Sequence, residues 1–357
     1  MKQKKLIIFF PSIEKGGVEK NFFIILNFLT KKIKNVSVIT SDPKKIKNKK
    51  IKIIKSNFFL SKKSRLIKNI DCIYLLIKEL INDRNLTVLS FQANFFATLV
   101  SYIFKINIIS RANASPIGWL NNPFKKFIYK SIMKLSSKII VNSNEMKMEF
   151  KKKLNLNSTL IYNPLDKKKI IYKSKEKIKL NFFKNKKCLK IINIGRFTRQ
   201  KDQITLLRAL SLIKKKFKFK LILLGQGLEK NKLKNYIVSN NLKNKVKILN
   251  YRENPYPILK KSDLFILTSI YEGLPNVLLE AITLNKPIIS SDCPTGPKEI
   301  LQNGKAGTLF KTGDHVDLYK KIINFKKNKK KIFLAKKNLS RFDYHKNLNK
   351  YLKLLQI

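Results

Sequence analysis

The feature that most constrains this chain is one pattern written twice: short apolar runs alternate with longer amphipathic stretches through both halves. A short apolar run is read as a buried strand and the amphipathic stretch after it as a helix, so the alternation predicts βα units that build parallel sheets. Strands are expected at Lys5–Phe10, Val36–Thr40, Ile51–Ile54, Thr87–Ser90, Asn107–Ser110, Lys138–Asn142 and Thr159–Tyr162, with helices at Val18–Leu29 and Arg65–Ile81. A second series is expected at Leu189–Ile194, Lys220–Leu224, Lys245–Leu249, Leu264–Leu267 and Pro287–Ser290, with helices at Gln203–Lys215, Gly227–Ser239, Pro275–Leu284 and Pro297–Leu301. Between them the lysine-rich, weakly patterned residues 166–187 read as a linker. A length of 357 residues suits two domains, here 1–165 and 188–340. The expected class is α/β: two Rossmann-like doubly wound parallel sheets facing across a cleft. Such sheets bind ligands at the carboxyl ends of their strands, so the informative residues should lie just after strands.

Charge narrows the partners without naming the chemistry. Lys plus Arg number 78 against 21 Asp plus Glu, a formal +57, which favours phosphates, nucleic acid or acidic lipid. Lys, Asn, Ile and Phe share A/T-rich codons, so genomic base composition accounts for much of the excess. The lysines run from Lys2 to Lys353 and do not form one basic arm. A nucleic-acid binder is the rival from another class, but no run resembles a helix-turn-helix or an aromatic-rich RNA-binding signature, so no nucleic-acid partner is expected. Cys72, Cys188 and Cys293 show no paired spacing, which argues against a disulfide framework or a zinc site and fits a reducing cytoplasm. The apolar run Leu6–Phe10 is too short for a signal peptide and reads as a first strand. Residues 85–104 carry no charge, but Asn85, Ser90, Gln92, Asn94 and Ser101 interrupt them, so strand, loop and a helix from Ala93 are expected in place of a membrane span.

Three segments that follow strands carry candidate chemistry. In Pro11–Glu19, Gly16 and Gly17 precede a helix, where glycine lets an anion approach backbone N–H groups and the helix dipole favours negative charge; a plain tight turn is the alternative. In Gly195–Asp202, Arg196 offers a planar donor fork and Lys201 a compact charge, a pair suited to linked phosphates. In Tyr271–Ala281, Glu272 lies before a helix whose first position suits Pro275, and Glu280 lies one turn into it. Between the two acids the N–H groups of Asn276, Val277 and Leu278 are expected to be free to hold a phosphate. Two spaced carboxylates for sugar hydroxyls on either side of an anion hole fit a nucleotide sugar.

Gly16-Gly17-Val18-Glu19, Gly195-Arg196 with Lys201, and Glu272-Gly273-Leu274-Pro275-Asn276 ending at Glu280 resemble, in order and spacing, the retaining glycosyltransferases of family 4, which have the GT-B fold. The resemblance is strongest from Cys188 to Phe310, and Ser291–Leu301 is similar to a segment of bacterial members that transfer galactose or N-acetylhexosamine units in surface glycan assembly. It implies a hexosyl or N-acetylhexosaminyl transferase using a nucleotide sugar, UDP-linked by expectation, and a glycan or polyprenyl-diphosphate-linked acceptor. Gly16 and Gly17 would face the donor, Arg196 and Lys201 would neutralise the departing diphosphate, Glu280 would bind the ribose and Glu272 the donor sugar. No cofactor and no metal ion is implied, and no Asp-x-Asp motif is present. A sugar phosphorylase of the same fold is the nearer rival.

The chain departs from the family in having no histidine in its first half; His315 and His345 both come late. The corresponding loop is Ser110–Pro116, where Arg111 or Asn113 would contact sugar or acceptor, with a plain connecting loop as the alternative. Asn122–Leu135 reads as a helix with apolar and cationic faces, either resting on an anionic membrane surface at the inner face of the cytoplasmic membrane or packed with solvated lysines. In this fold a terminal stretch such as 341–357 is expected to pack back on the first domain.

Overall fold

A computed structural model of the chain describes residues 5–48, 51–55, 64–116, 120, 122–184, 187–213 and 217–355. Residues 214 and 215, the end of the expected helix Gln203–Lys215, lie outside them. The chain divides into two compact units, one of Met1–Pro164 with Tyr344–Ile357, the other of Leu165–Asp343.

In the first unit β1 (Lys5–Phe9), α1 (Gly17–Lys32), β2 (Val36–Ile39), β3 (Lys52–Ile54), α2 (Arg65–Asn82), β4 (Leu86–Ser90), α3 (Asn94–Ile103), β5 (Asn107–Arg111), α4 (Pro123–Lys134), β6 (Lys138–Val141), α5 (Asn144–Leu154) and β7 (Thr159–Leu160) follow in order. They form a seven-stranded sheet in the order β3-β2-β1-β4-β5-β6-β7, with every strand pair parallel. A parallel sheet is covered on both faces, so its strands are apolar on both. β1 shows this directly: Leu6 and Ile8 join Phe22, Ile25, Leu26 and Leu29 of α1 in one core, while Ile7 and Phe9 join Cys72, Leu76 and Leu80 of α2 in another. The uncharged stretch 85–104 is accounted for by β4 and α3, and among the described residues no helix is long and apolar enough to cross a membrane.

The second unit holds α6 (Lys167–Lys173), β8 (Leu189–Ile194), α7 (Gln203–Ile213), β9 (Phe219–Leu224), α8 (Lys230–Ser239), β10 (Val246–Leu249), α9 (Tyr256–Lys261), β11 (Leu264–Leu267), α10 (Asn276–Thr283), β12 (Ile288–Ser291), α11 (Pro297–Ile300), β13 (Thr308–Phe310), α12 (His315–Ile323) and α13 (Lys329–Asn338). Its six strands are ordered β10-β9-β8-β11-β12-β13 and are again parallel. The sequence pattern does not single out β13, which is only three residues long. Ile191, Leu221, Leu223, Leu264, Ile266 and Ile289 pack against Leu206 and Leu210 of α7, Leu233 of α8 and Leu318 of α12.

The described residues of 166–187, read above as a linker, belong to the second unit. α6 packs beside α9 and α10, Asn254 donates to the Lys173 carbonyl at 2.9 Å, and Lys261 donates to the Ile178 carbonyl at 2.9 Å. The polar composition misleads because the second unit holds this segment through its backbone carbonyls. The last helix, α14 (Tyr344–Leu355), puts Leu348, Tyr351 and Leu355 into the α1 core of the first unit.

Candidate functional site

Each sheet reverses its order once, between β1 and β4 in the first unit and between β8 and β11 in the second. Outside the carboxyl ends of such a strand pair the flanking connections diverge and leave a crevice. The candidate residues follow these strands.

In the second unit the turn after β8 and the turn after β11 are joined. Lys201 Nζ lies 2.5 Å from Glu272 Oε1, which also accepts from Ser269 Oγ at 2.6 Å. The backbones are pinned together as well: the Ile270 N–H donates to the Gln200 carbonyl at 2.8 Å, Gln200 Nε2 donates to the Tyr271 carbonyl at 2.9 Å, and Thr268 Oγ1 donates to the Lys201 carbonyl at 2.9 Å. The Lys201 side chain is 17% exposed and that of Glu272 7%, so the pair is largely withdrawn from water and its interaction is little screened. Both of its bonds fall on Oε1; Oε2 of Glu272 takes no protein donor among the described residues.

The segment after β12 clamps the Glu272 turn from the other side. The Glu272 N–H donates to the Pro294 carbonyl at 3.1 Å and Thr295 Oγ1 donates to the Glu272 carbonyl at 2.5 Å. A Cβ at Gly296, where φ is 92°, would lie 2.5 Å from the Gly273 carbonyl oxygen, so only glycine permits this approach. Cys293 is buried beside Glu272, and burial, with the carboxylate adding to it, pushes its thiol up to about 12, which leaves it inert.

Two expectations about α10 are corrected. Pro275 has ψ 100°, an extended backbone, so it is the cap and the helix begins at Asn276. The Leu278 N–H is not free, because it donates to the Pro275 carbonyl at 3.0 Å; Val277 keeps its amide without a protein acceptor among the described residues. Glu280 is buried on α10 between Leu279 and Ala281. Arg196 is exposed on the turn after β8, and Gln203 holds its carbonyl at 3.0 Å.

The loop after β9 supports this turn, and it includes Gly227, where the sequence predicts the start of a helix that begins only at Lys230. Gly225-Gln226-Gly227-Leu228-Glu229 follows β9, and the Phe197 N–H donates to the Gln226 carbonyl at 2.8 Å while the Glu229 N–H donates to the Phe197 carbonyl at 3.0 Å. A Cβ at Gly225 would lie 1.9 Å from the Gly195 carbonyl oxygen, and Gly227 has φ 151°. The signal was available as a second glycine pair directly after a strand. Next to it, a shallow pocket of about 460 Å³ at the end of β10 is lined by Lys230, Lys234, Asn250, Tyr251 and Arg252 with the strand residues Ile248 and Leu249.

In the first unit Gly16 caps α1, and its carbonyl accepts the Lys20 N–H at 3.2 Å; Gly17 is exposed at the first helical position. The expectation for Arg111 is corrected. It is completely buried, with Nε donating to Tyr351 Oη at 2.8 Å, Nη2 donating to Asn163 Oδ1 at 2.6 Å and its guanidinium 5.4 Å from the Phe91 ring centre. It ties α14 to β5 and is not placed to touch a ligand. Asn113 is half-buried and donates to the Phe91 carbonyl at 2.7 Å, bridging the loops after β4 and β5. Among the described residues no group of three His, Cys, Asp or Glu is placed to hold a metal ion.

Residues 174–341 match the family model described as glycosyl transferases group 1. An uncharacterized glycosyltransferase of Methanocaldococcus jannaschii is 38% identical over 222 residues, covering 57% of this chain and 53% of that protein, so the chain spans about half its length. An N-acetylgalactosamine-N,N'-diacetylbacillosaminyl-diphospho-undecaprenol 4-alpha-N-acetylgalactosaminyltransferase of Campylobacter jejuni is 24% identical over 339 residues, 88% of each chain. HepE of Anabaena in complex with UDP-glucose superposes with a TM-score of 0.79 at 17% identity, covering 99% of this chain and 100% of that one. The two all-parallel Rossmann-like sheets are those of the GT-B fold, and residues 174–341 are similar to the glycosyl transferases group 1 domain.

Proposed function

We propose that the chain is a retaining glycosyltransferase of family 4 that moves a hexosyl or N-acetylhexosaminyl unit from a UDP-sugar to a glycan or polyprenyl-diphosphate-linked acceptor in surface polysaccharide assembly. The observation that carries this is Glu272: Oε1 is gripped by Lys201 and Ser269, and Oε2 is left to accept a hydroxyl of the donor sugar. Lys201, with Arg196 on the same turn, is matched to the charge that grows on the departing diphosphate, and the Val277 amide at the α10 N-terminus adds a donor. As the bond from the anomeric carbon to the phosphate oxygen breaks, its electron pair leaves with the UDP. The acceptor oxygen bonds to that carbon from the same face, and its proton passes to the phosphate oxygen. Residues Gly16 and Gly17 are assigned to the donor, Glu280 to the ribose, and Asn113 to sugar or acceptor.

The nucleobase suits the pocket at the end of β10. That strand lies two neighbours from β8, roughly 10 Å at ordinary strand spacing, a distance a nucleoside covers from its phosphates, and Tyr251 offers a ring for stacking. The scheme needs no metal. The relatives add direction: besides the Campylobacter enzyme, a lipopolysaccharide 1,6-galactosyltransferase of Escherichia coli is 31% identical over 161 residues, 43% of this chain and 42% of that one. The acceptor end is assigned to the first unit, where Phe124 and Phe127 of α4 are 69% and 66% exposed beside Lys125 and Lys134. Such a surface suits an anionic leaflet on the cytoplasmic side.

The test is a thermal-shift panel of UDP-, GDP-, ADP- and dTDP-linked sugars with assay of nucleotide release. Stabilisation by UDP-sugars with release of UDP is expected. A response to no nucleotide overturns the reading, and sugar 1-phosphate formed from a glycan and inorganic phosphate replaces it with the phosphorylase.

A further inference from the structure

Asp42 and Lys68 form a buried ion pair in the first unit that no step above uses. The Asp42 side chain is 1% exposed and that of Lys68 8%, and Lys68 Nζ donates to both carboxylate oxygens at 3.0 Å. A buried pair of this kind is a poor source of stability, since well-packed apolar residues of similar size do as well or better. Lys68 also lies near the N-terminus of α2, where the helix dipole disfavours a cation. Neither the pair's own energy nor the helix accounts for the placement.

What the pair holds does account for it. Asp42 Oδ2 accepts the Ile13 N–H at 2.9 Å, and Lys45, 3.4 Å from Asp42 Oδ1, donates to the Ile13 carbonyl. The neighbouring residues are gripped in the same way: the Ser12 N–H donates to Gln92 Oε1 at 3.1 Å, and the Pro11 carbonyl accepts the Ser41 N–H at 3.0 Å. Pro11 to Ile13 is the stem of the loop that carries Gly16 and Gly17, and it leaves β1 at the point where the sheet reverses. A loop stem without helix or strand bonds of its own is thus fixed by a backbone amide and side chains from the residues after β2, themselves braced by Lys68 of α2, and by Gln92 in the turn after β4.

We propose that Asp42, charged and oriented by Lys68, is a positioning residue that sets the Gly16–Gly17 loop for sugar transfer. This rests on the donor-facing role given above to those glycines. Neither residue touches substrate; the effect reaches the reaction through the loop that faces the donor sugar, and affinity for the UDP part, assigned to the second unit, stays out of it.

Two double variants of the full chain separate the loop bond from the ion pair. Both D42N/K68M and D42A/K68M remove the two charges together, so neither strands a buried ion, but only Asn keeps an acceptor for the Ile13 N–H. D42A/K68M is expected to turn over UDP-sugar at least about tenfold more slowly than D42N/K68M, at unchanged UDP affinity by calorimetry. It should also exchange amide hydrogen faster over residues 10–17, while D42N/K68M keeps most of the wild-type protection and rate. Equal turnover in the two variants overturns the proposal, as does equal exchange over residues 10–17. If the wild-type chain neither binds UDP nor releases it from any donor, the assigned function fails; the exchange comparison still decides whether Asp42 sets the loop.

Discussion

Each unit places a lysine against a carboxylate near the carboxyl edge of its sheet, and the two pairs differ in what they leave unfilled. In the second unit Glu272 keeps Oε2 without a protein donor, and Lys201 remains 17% exposed. In the first, both oxygens of Asp42 are occupied, one by Lys68 and Lys45, the other by Lys68 and a backbone amide. Similar chemical groups on the same kind of sheet therefore serve opposite ends. A carboxylate with an open acceptor can bind; one with all its acceptors filled can only hold.

The contrast breaks most readily at Lys201. Lys201→Ala removes the charge assigned to the leaving diphosphate and strands Glu272, so kcat should fall by about 10²–10³-fold in a UDP-release assay. Turnover near wild type would reduce the second pair to scaffold like the first. Gly225→Ala comes next, because the new methyl must displace the Gly195 carbonyl: a loss of about 1–3 kcal/mol by denaturant titration is expected, with weaker UDP binding. An alanine that leaves both unchanged would show that the turn after β8 adapts freely.

Tyr351→Phe takes the partner from a buried guanidinium N–H and should cost about 1–2 kcal/mol, read as a lower midpoint in the same titration, while UDP affinity holds. A change confined to activity would return Arg111 to the ligand-binding set. The smallest effect concerns Lys286, which donates to the Lys260 and Ser262 carbonyls and whose ammonium burial pushes down from 10.5 to about 8. Between these values the unfolded chain binds the extra proton, so stability gains a rising contribution as pH climbs through the window. Melting temperatures of wild type and Lys286→Met across pH 7.5 to 10.5 should differ in slope with that sign, by an amount reduced by partial solvent exposure. Parallel curves would show that the lysine titrates normally.

The strands were the most legible part of the chain, since β1, β4, β8 and β11 are apolar on both faces and bounded by polar turns. The motif residues of the second unit were legible too, because they follow strands directly. Arg111 was misread: a cation just after an apolar strand looks like a ligand from sequence, and its partner Tyr351 is 240 residues away. Leu278 was misread because its amide closes a tight three-residue bond onto the cap carbonyl of Pro275, which no residue pattern announces. The Asp42 pair was invisible, since no local pattern joins residues 13, 42 and 68.

Periodicity and turn chemistry are local properties, so the chain alone determined its α/β class, the two parallel sheets and the presence of polar residues at strand ends. Which of those residues face one another depends on strand order and on contacts between distant segments, which hydrophobic burial leaves open. Tertiary structure alone decided that Lys201 meets Glu272, that Arg111 is enclosed, and that one carboxylate keeps an oxygen open while another has none.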